Sequence, residues 1–537
     1  MRVQAIDHVA LLPLYLAAGA AVLALFAGRA SKGCMMIGLA AAAVAALWAG
    51  GGEDRSTFAV GAWHSFVADD AAMGAAALFA GLSVLVAAVS GRQSGEYWFL
   101  LAVSAAGGIT LAGARDLITL IVALETLTVP LYVLVTKPGR DGAEAGVTFL
   151  IASIASSATA LMGAAFLYAA AGTVHLEGLA AGLAEADPAL VAAGAALLLG
   201  GLAFKLAAAP LHAWAPLVLE RAPLPIATYL ASASKLGGAI AIIWVVFFGL
   251  EAGAGSATGI VVAALSVASI AIGNLGALVQ RRTVPLLAWS GIAHAGYALA
   301  PLAVVTTAAG REDAAAAASA ALAYAVFFVL LEAGAFASLT AVRPAWTSDR
   351  AAGVEALAVG GHGTEESRDE LAIGERRTPL EALKTGGPSL GEARESSING
   401  VSDLKAGAGN VPDQESGEGG TIAELSGLWR SAPLPASLFL FSVIGLAGLP
   451  PALAGTFAKV AILEVLASSA LWLAVIVAAG AVLGLAYYLP LARTVLLGRG
   501  PSTAKGRFAI ALAAVGLALL AVTLAPQVVL DFTAVSR

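Results

Sequence analysis

The chain has 537 residues, of which 59% are hydrophobic and only 12% charged, with a formal net charge of −6. A soluble domain carries about twice that charge, so the composition excludes a water-soluble enzyme and points to an all-α polytopic membrane protein. The single cysteine, Cys34, excludes disulfides within the chain and thiolate metal clusters.

About 20 apolar residues cross a bilayer. On that basis fourteen transmembrane helices are predicted: 7–26, 34–50, 73–90, 97–114, 117–136, 146–171, 188–209, 226–249, 258–279, 284–306, 315–340, 434–463, 470–492 and 508–530. The first lacks a strongly basic start and is followed by Arg29 and Lys32, as a membrane anchor is and a signal peptide is not. The chain thus divides into helices 1–11 (1–340), a hydrophilic segment (341–432) and helices 12–14 (433–537). The middle segment holds nine Lys/Arg and fifteen Asp/Glu and has no apolar period, which predicts a disordered loop.

Loop charge sets orientation. Loops after odd-numbered helices carry twelve basic residues, Arg29, Lys32, Arg92, Lys137, Arg140, Arg221, Arg281, Arg282, Arg493, Arg499, Lys505 and Arg507. The opposite side carries five, Arg2, Arg55, Arg115, Arg311 and Arg537. Both termini are therefore predicted outside, and 341–432 cytoplasmic.

Three lysines remain, all inside apolar runs: Lys205, Lys235 and Lys459. Glu125 and Glu332 share that placement, while Glu464 lies near the predicted outer end of helix 12. A charge at the bilayer centre costs roughly 2.5–3.5 kcal/mol on insertion scales, and such groups mark ion or proton paths.

Taken in chain order, Glu125 in ALETLTVPLYVLV (123–135) needs a basic partner, and Lys205 is the candidate. The pair is either a static brace or, if it opens, a switchable proton holder. His212 lies among prolines in LAAAPLHAWAPL (206–217), near the cytoplasmic surface, as a proton entrance or as the cap of a broken helix. Lys235 is surrounded by Ser232, Ser234, Gly237 and Gly238, which leave room for water and hydroxyls as its company. His294 is a relay between its two ring nitrogens or a neutral packing residue. Glu332 either supports Lys459 electrostatically or donates one hydrogen bond as a neutral acid. Lys459 follows the Gly/Pro cluster GLAGLPPALAGTFA (445–458), which predicts unwound backbone beside a wet cavity. Phe204-Lys205 and Phe457-Ala458-Lys459 fall five helices apart, each beside prolines, a spacing that would invert two such units in the membrane.

No HExxH, Walker loop or strand-flanked GxGxxG is present, so no nucleotide, haem or iron–sulfur site is expected on this chain, nor any nucleic-acid partner. The stretches ALETLTVPLYVLV, TFLIASIASSATALMGAAFLY (148–168), AFKLAAAPLHAWAPLVLERAPLPIATYLASASKLGG (203–238), GNLGALVQRRTVPLLAWSGIAHAGYAL (273–299) and GLAGLPPALAGTFAKV (445–460) together resemble the antiporter-like membrane subunits of respiratory complex I, the bacterial NADH–quinone oxidoreductase. Lysine at 459 favours the N-type subunits over the M-type, which have glutamate there.

The resemblance implies two inverted five-helix units with broken helices 7 and 12. It implies Glu125 as the paired acid, Lys205 as the pumping lysine, Lys235 as the connecting lysine, His294 in the polar axis and Lys459 in the second broken helix. It also implies a multi-pass protein of the bacterial plasma membrane, with NADH, FMN, iron–sulfur clusters and quinone held by partner subunits. Those partners would be neighbouring antiporter-like and quinone-module subunits within the lipid bilayer. A multi-subunit sodium/proton antiporter and a non-pumping membrane scaffold are the alternatives. The chain departs from the family pattern at Leu217 after Trp-x-Pro, at Thr148 where a lysine is common, at Glu332 and in the 341–432 insertion.

Overall fold

The computed structural model describes residues 6–136, 140–251, 255–305, 313–342, 420–498 and 508–535. The chain divides into two compact units, Met1–Ala345 with Glu418–Arg537, and Trp346–Gly417. The second unit, and with it most of the 341–432 segment, lies outside the described residues.

Among the described residues eleven helices are long and apolar enough to cross a membrane, and three further apolar helices are shorter. In chain order α1 (Leu12–Phe26), α2 (Ser31–Gly50), α3 (Asp70–Val89), α4 (Gly95–Gly113) and α5 (Leu117–Leu134) precede the long α6 (Arg140–Ala171). Then come α7 (Leu176–Gly182), α8 (Pro188–Leu206), α9 (Trp214–Arg221), α10 (Leu224–Leu250), α11 (Gly255–Leu278), α12 (Thr283–Leu299) and α13 (Ala314–Val342). After the gap follow α14 (Pro433–Ala447), α15 (Ala454–Ser469), α16 (Leu471–Leu497), α17 (Ala509–Leu524) and α18 (Gln527–Phe532).

Helix starts follow the capping rule that a short acceptor side chain satisfies the first free N–H groups. Asp69 accepts from Ala72 N at 2.7 Å and Asp116 from Thr119 N at 2.8 Å. A hairpin of two antiparallel strands, β1 (Arg55–Val60) and β2 (Trp63–Ala68), joins α2 to α3 and turns at Gly61 with φ +65°. The fourteen-helix reading of the sequence passes over this hairpin.

Helices that are apolar all round must be buried by other helices or by lipid. α10 is buried almost throughout, and α12 and α13 nearly so, while α2 and α6 are mostly open. The open faces carry Ile37, Val44, Leu47 and Trp48 on α2, and Ile151, Ile154, Leu161 and Met162 on α6. The innermost helices are thus the ones that carry Lys235, His294 and Glu332, where a charge needs a protein partner.

The described end of the insertion returns to the bundle. Thr421 pairs with Arg282 in an isolated β-bridge, with Ile422 N donating to Arg281 O at 3.0 Å and Thr283 N to Gly420 O at 3.1 Å. Residues 420–425 are thereby seated on the start of α12.

Candidate functional site

α8 and α14 both stop short, and both stops contain prolines that cannot continue a helix. α8 ends at Leu206 through left-handed Ala207 (φ 60°) and reaches the cis bond Ala209–Pro210 before α9 begins. The freed backbone is re-satisfied: Ala209 N donates to Ser269 Oγ at 2.8 Å, and Trp214 Nε1 donates to Phe204 O at 3.1 Å. α14 ends at Ala447 with Gly448 at φ 80° and resumes as α15 after the cis bond Pro450–Pro451. Each break lies close to a lysine, and at the second the lysine meets a carbonyl of the helix end, which carries partial negative charge. Lys205 is in the last turn of α8, and Lys459 Nζ donates to Leu446 O at 2.9 Å.

Lys205 and Glu125 form an ion pair, Nζ to Oε1, at 2.9 Å. Hydroxyls surround it. Lys205 Nζ also donates to Ser153 Oγ at 2.8 Å and Thr128 Oγ1 at 3.1 Å, and Ser157 Oγ donates to Glu125 Oε1 at 2.6 Å. Tyr132 extends the cluster by donating to Ser153 Oγ at 2.5 Å. The lysine side chain is 3% exposed and that of the glutamate 30%. Glu125 therefore opens onto the outer face of α5, between the exposed Val122 and Val129.

α10, which carries the next lysine, packs on α8 beside this pair. Gly238 faces the α8 backbone at Lys205 and Leu206 so closely that a Cβ there would collide with it. The turns before Lys235 (Leu230–Ser234) are π-helical, a widening common at functional sites.

Hydroxyls and water are the company the sequence suggests for Lys235; the structure corrects this. Lys235 Nζ lies 3.0 and 3.3 Å from the two oxygens of Glu332, with both side chains almost wholly buried. Glu332, expected beside Lys459 or as a lone neutral acid, is instead the partner of Lys235. The two are 97 positions apart, so no local spacing announces the pair. Gly291 on α12 makes room for it: a Cβ at that position would strike both head groups.

His294 is buried between two tyrosines, with Nδ1 2.7 Å from Tyr324 Oη and Nε2 3.1 Å from Tyr488 Oη. Its ring stacks on Phe328 at 5.0 Å and 3°, and Lys235 Nζ lies 5.2 Å from the centroid of the same Phe328 ring. His212 sits half-buried in the break after α8, its ring 5.2 Å from that of Trp289. Glu464 is exposed on α15.

Sequence reasoning missed the hydroxyls of Ser153, Ser157, Tyr324 and Tyr488, since serine and tyrosine are unremarkable in apolar helices. It also counted Arg115 as a loop charge. Arg115 is buried, donates to Asp69 at 2.6 Å, and lies over the rings of Trp244 and Phe248 at 4.7 and 4.5 Å.

Among the described residues no group of three or more His, Cys, Asp or Glu is placed to hold a metal ion. The arrangement instead sets amines, carboxyls, an imidazole and hydroxyls on successive helices, a chemistry of proton holding.

The model of the transmembrane family NADH:quinone oxidoreductase/Mrp antiporter matches residues 114–358 and 404–484, which include every lysine and acid of the site. A relative from Salinispora tropica, NADH-quinone oxidoreductase subunit N, is 42% identical over 509 residues, covering 91% of this chain and 84% of the relative. A chain of respiratory complex I from Thermus thermophilus with bound aureothin superposes with a TM-score of 0.72 at 26% identity, over 97% of this chain and 98% of that one. A chain of the Mrp complex from Dietzia sp. DQ12-45-1b shares the fold at a TM-score of 0.68 and 21% identity, over 97% and 94% of the two chains. With a family model spanning more than half its length, the chain belongs to the NADH:quinone oxidoreductase/Mrp antiporter transmembrane family.

Proposed function

We propose that this chain is a proton-translocating membrane subunit of NADH–quinone oxidoreductase. The observation that carries this reading is that its three intramembrane lysines, Lys205, Lys235 and Lys459, are 4%, 1% and 9% exposed, with α8 packed on α10, α10 on α13 and α13 on α15. Buried ionisable groups in a membrane are functional by default, and three in succession make a lateral path. Glu125 and Lys205 form its entry: opening the pair frees a proton toward Lys235 and His294, and Lys459 releases one to the outside. Lysine suits this role because, unlike arginine, it can lose its charge when buried. Electron transfer, with NADH, FMN, iron–sulfur clusters and quinone, belongs to partner subunits.

The 30% exposed carboxylate of Glu125 on an otherwise apolar face supports a neighbouring membrane subunit covering α5 and α6 there. Fourteen passes, with α14 and α15 together making one, two inverted five-helix units centred on the breaks, outside termini and a cytoplasmic 341–432 complete the reading. His212 fits a cytoplasmic proton entrance at the first break.

Replacing Lys205 or Glu125 by alanine is expected to abolish proton uptake into vesicles carrying the assembled complex, while NADH oxidation by the hydrophilic arm persists. Undiminished pumping in both variants refutes the assignment and leaves a scaffold. The shared fold with the Mrp complex favours a second reading, a subunit of a sodium/proton antiporter. Co-purification in mild detergent separates the two: quinone-site and iron–sulfur subunits support the first.

A further inference from the structure

The acids of this chain differ in what donates to them. Asp69 takes a backbone N–H and a guanidinium, Asp116 takes both the N–H and the hydroxyl of Thr119, and Glu125 takes a serine hydroxyl besides its lysine. Glu332 has a single donor residue among the described residues, the Lys235 ammonium, and no solvent contact. An ionised carboxylate offers about four acceptor positions, and buried polar groups kept for structure are normally satisfied. Glu332 is therefore the acid of the site with the most unused capacity to take up a proton. The family pattern leads to no acid at this position.

Resting on the reading above, we infer that Glu332 is a proton-holding residue, so that the middle of the path is a lysine–carboxylate pair rather than a lysine alone. A proton arriving from the Lys205 side adds to the Glu332 carboxylate, giving an ammonium beside a carboxylic acid. The ammonium then gives up a proton toward His294. The acid's proton crosses the 3.0 Å contact to the amine and restores the ion pair. One proton enters, one leaves, and no electrons move.

The surroundings suit both states. When the carboxylate is neutralised, the ammonium loses its counter-charge but keeps the face of Phe328 at 5.2 Å, a cation–π contact that strengthens without water. Phe328 stands one turn before Glu332 on α13 and stacks on His294, so the donor and the next acceptor share one ring. The bare face of Gly291 lets the pair close.

The test uses the assembled complex in vesicles, reading protons translocated per NADH oxidised. Glu332→Gln keeps the shape and the contact with Lys235 but cannot ionise; it is expected to lower the ratio at least about tenfold. Glu332→Asp is expected to recover most of it. The infrared band of a protonated carboxyl that forms on energisation should vanish in the Gln variant. If Glu332→Gln does not assemble, the exchanged pair Lys235→Glu/Glu332→Lys restores a neutral core and is expected to pump. Native pumping in assembled Glu332→Gln, or an assembled exchanged pair that does not pump, overturns the inference. Lys205→Ala measured in parallel separates the two levels: if it abolishes pumping while Glu332→Gln does not, only the role of Glu332 falls. If neither variant affects pumping, the reading of the whole path falls.

Discussion

Two ion pairs of this protein look alike on paper and differ in what surrounds them. Arg115–Asp69 closes the end of α4 against the start of α3 at 2.6 Å. Its guanidinium also donates to the carbonyls of Ala112 and Ala114 and lies over two aromatic rings. Its partners there are fixed carbonyls and a carboxylate, and arginine keeps its proton. Lys205–Glu125 sits in a nest of hydroxyls, each able to rotate and to donate or accept. On the proposed reading the first pair is a brace and the second a switch. What separates them is the nature of the neighbours, since the distances differ little.

The sharpest way to break this contrast is Lys205→Arg, which keeps the charge but removes the ability to lose it. We expect pumping to fall by about 10³-fold, within the range of a lost proton-transfer group, with assembly retained; vesicle acidification at matched NADH oxidation measures it. A variant that pumps normally would make the switch a brace after all. Arg115→Ala should cost roughly 3 kcal/mol, the lower end for a broken buried pair because Asp69 is partly exposed. Thermal inactivation of the complex reads that loss, and the surviving fraction should pump at the native ratio. Gly291→Ala pushes a methyl into the Lys235–Glu332 contact, and overpacking of this kind costs about 1–3 kcal/mol. Here stability and pumping should fall together, unlike in Arg115→Ala.

The smallest effect concerns Asp54 beside the brace. Partial burial and the nearby carboxylates of Asp69 and Asp70 hold its carboxyl above the usual range. A raised acid pKa means the charged form is disfavoured in the fold, so stability should rise as the pH falls through that raised value toward the ordinary carboxylate range. Asp54→Asn should remove this dependence and add at most a few tenths of a kcal/mol at neutral pH, because solvent screens an exposed loop. A pH series of thermal inactivation checks the sign.

The path was legible where scarcity made it so. A lysine in an apolar run stands out at once, and Pro210, Pro450 and Pro451 announce the breaks beside Lys205 and Lys459. Lys205 could be named as the candidate partner of Glu125 because only three lysines lie inside apolar runs. The Lys235–Glu332 pair could not, since nothing within either helix points to the other and only the crossing of α10 and α13 brings them together. Counting loop charges treated Arg115 as solvated, because a count does not sense burial. The hairpin between α2 and α3 was hidden by its shortness, six residues a strand, against a background dominated by spans three times as long.

The seat of residues 420–425 on the start of α12 has a practical corollary. It anchors the chain immediately before α14, so the entry of that helix is set by the bundle and does not depend on the length of chain spliced in ahead of it. Within 343–419 is therefore where we expect this protein to accept shortening, a tag or a graft. A deletion that spares Gly420 and Thr421 should still deliver Lys459 to its carbonyl, as assembly yield would register.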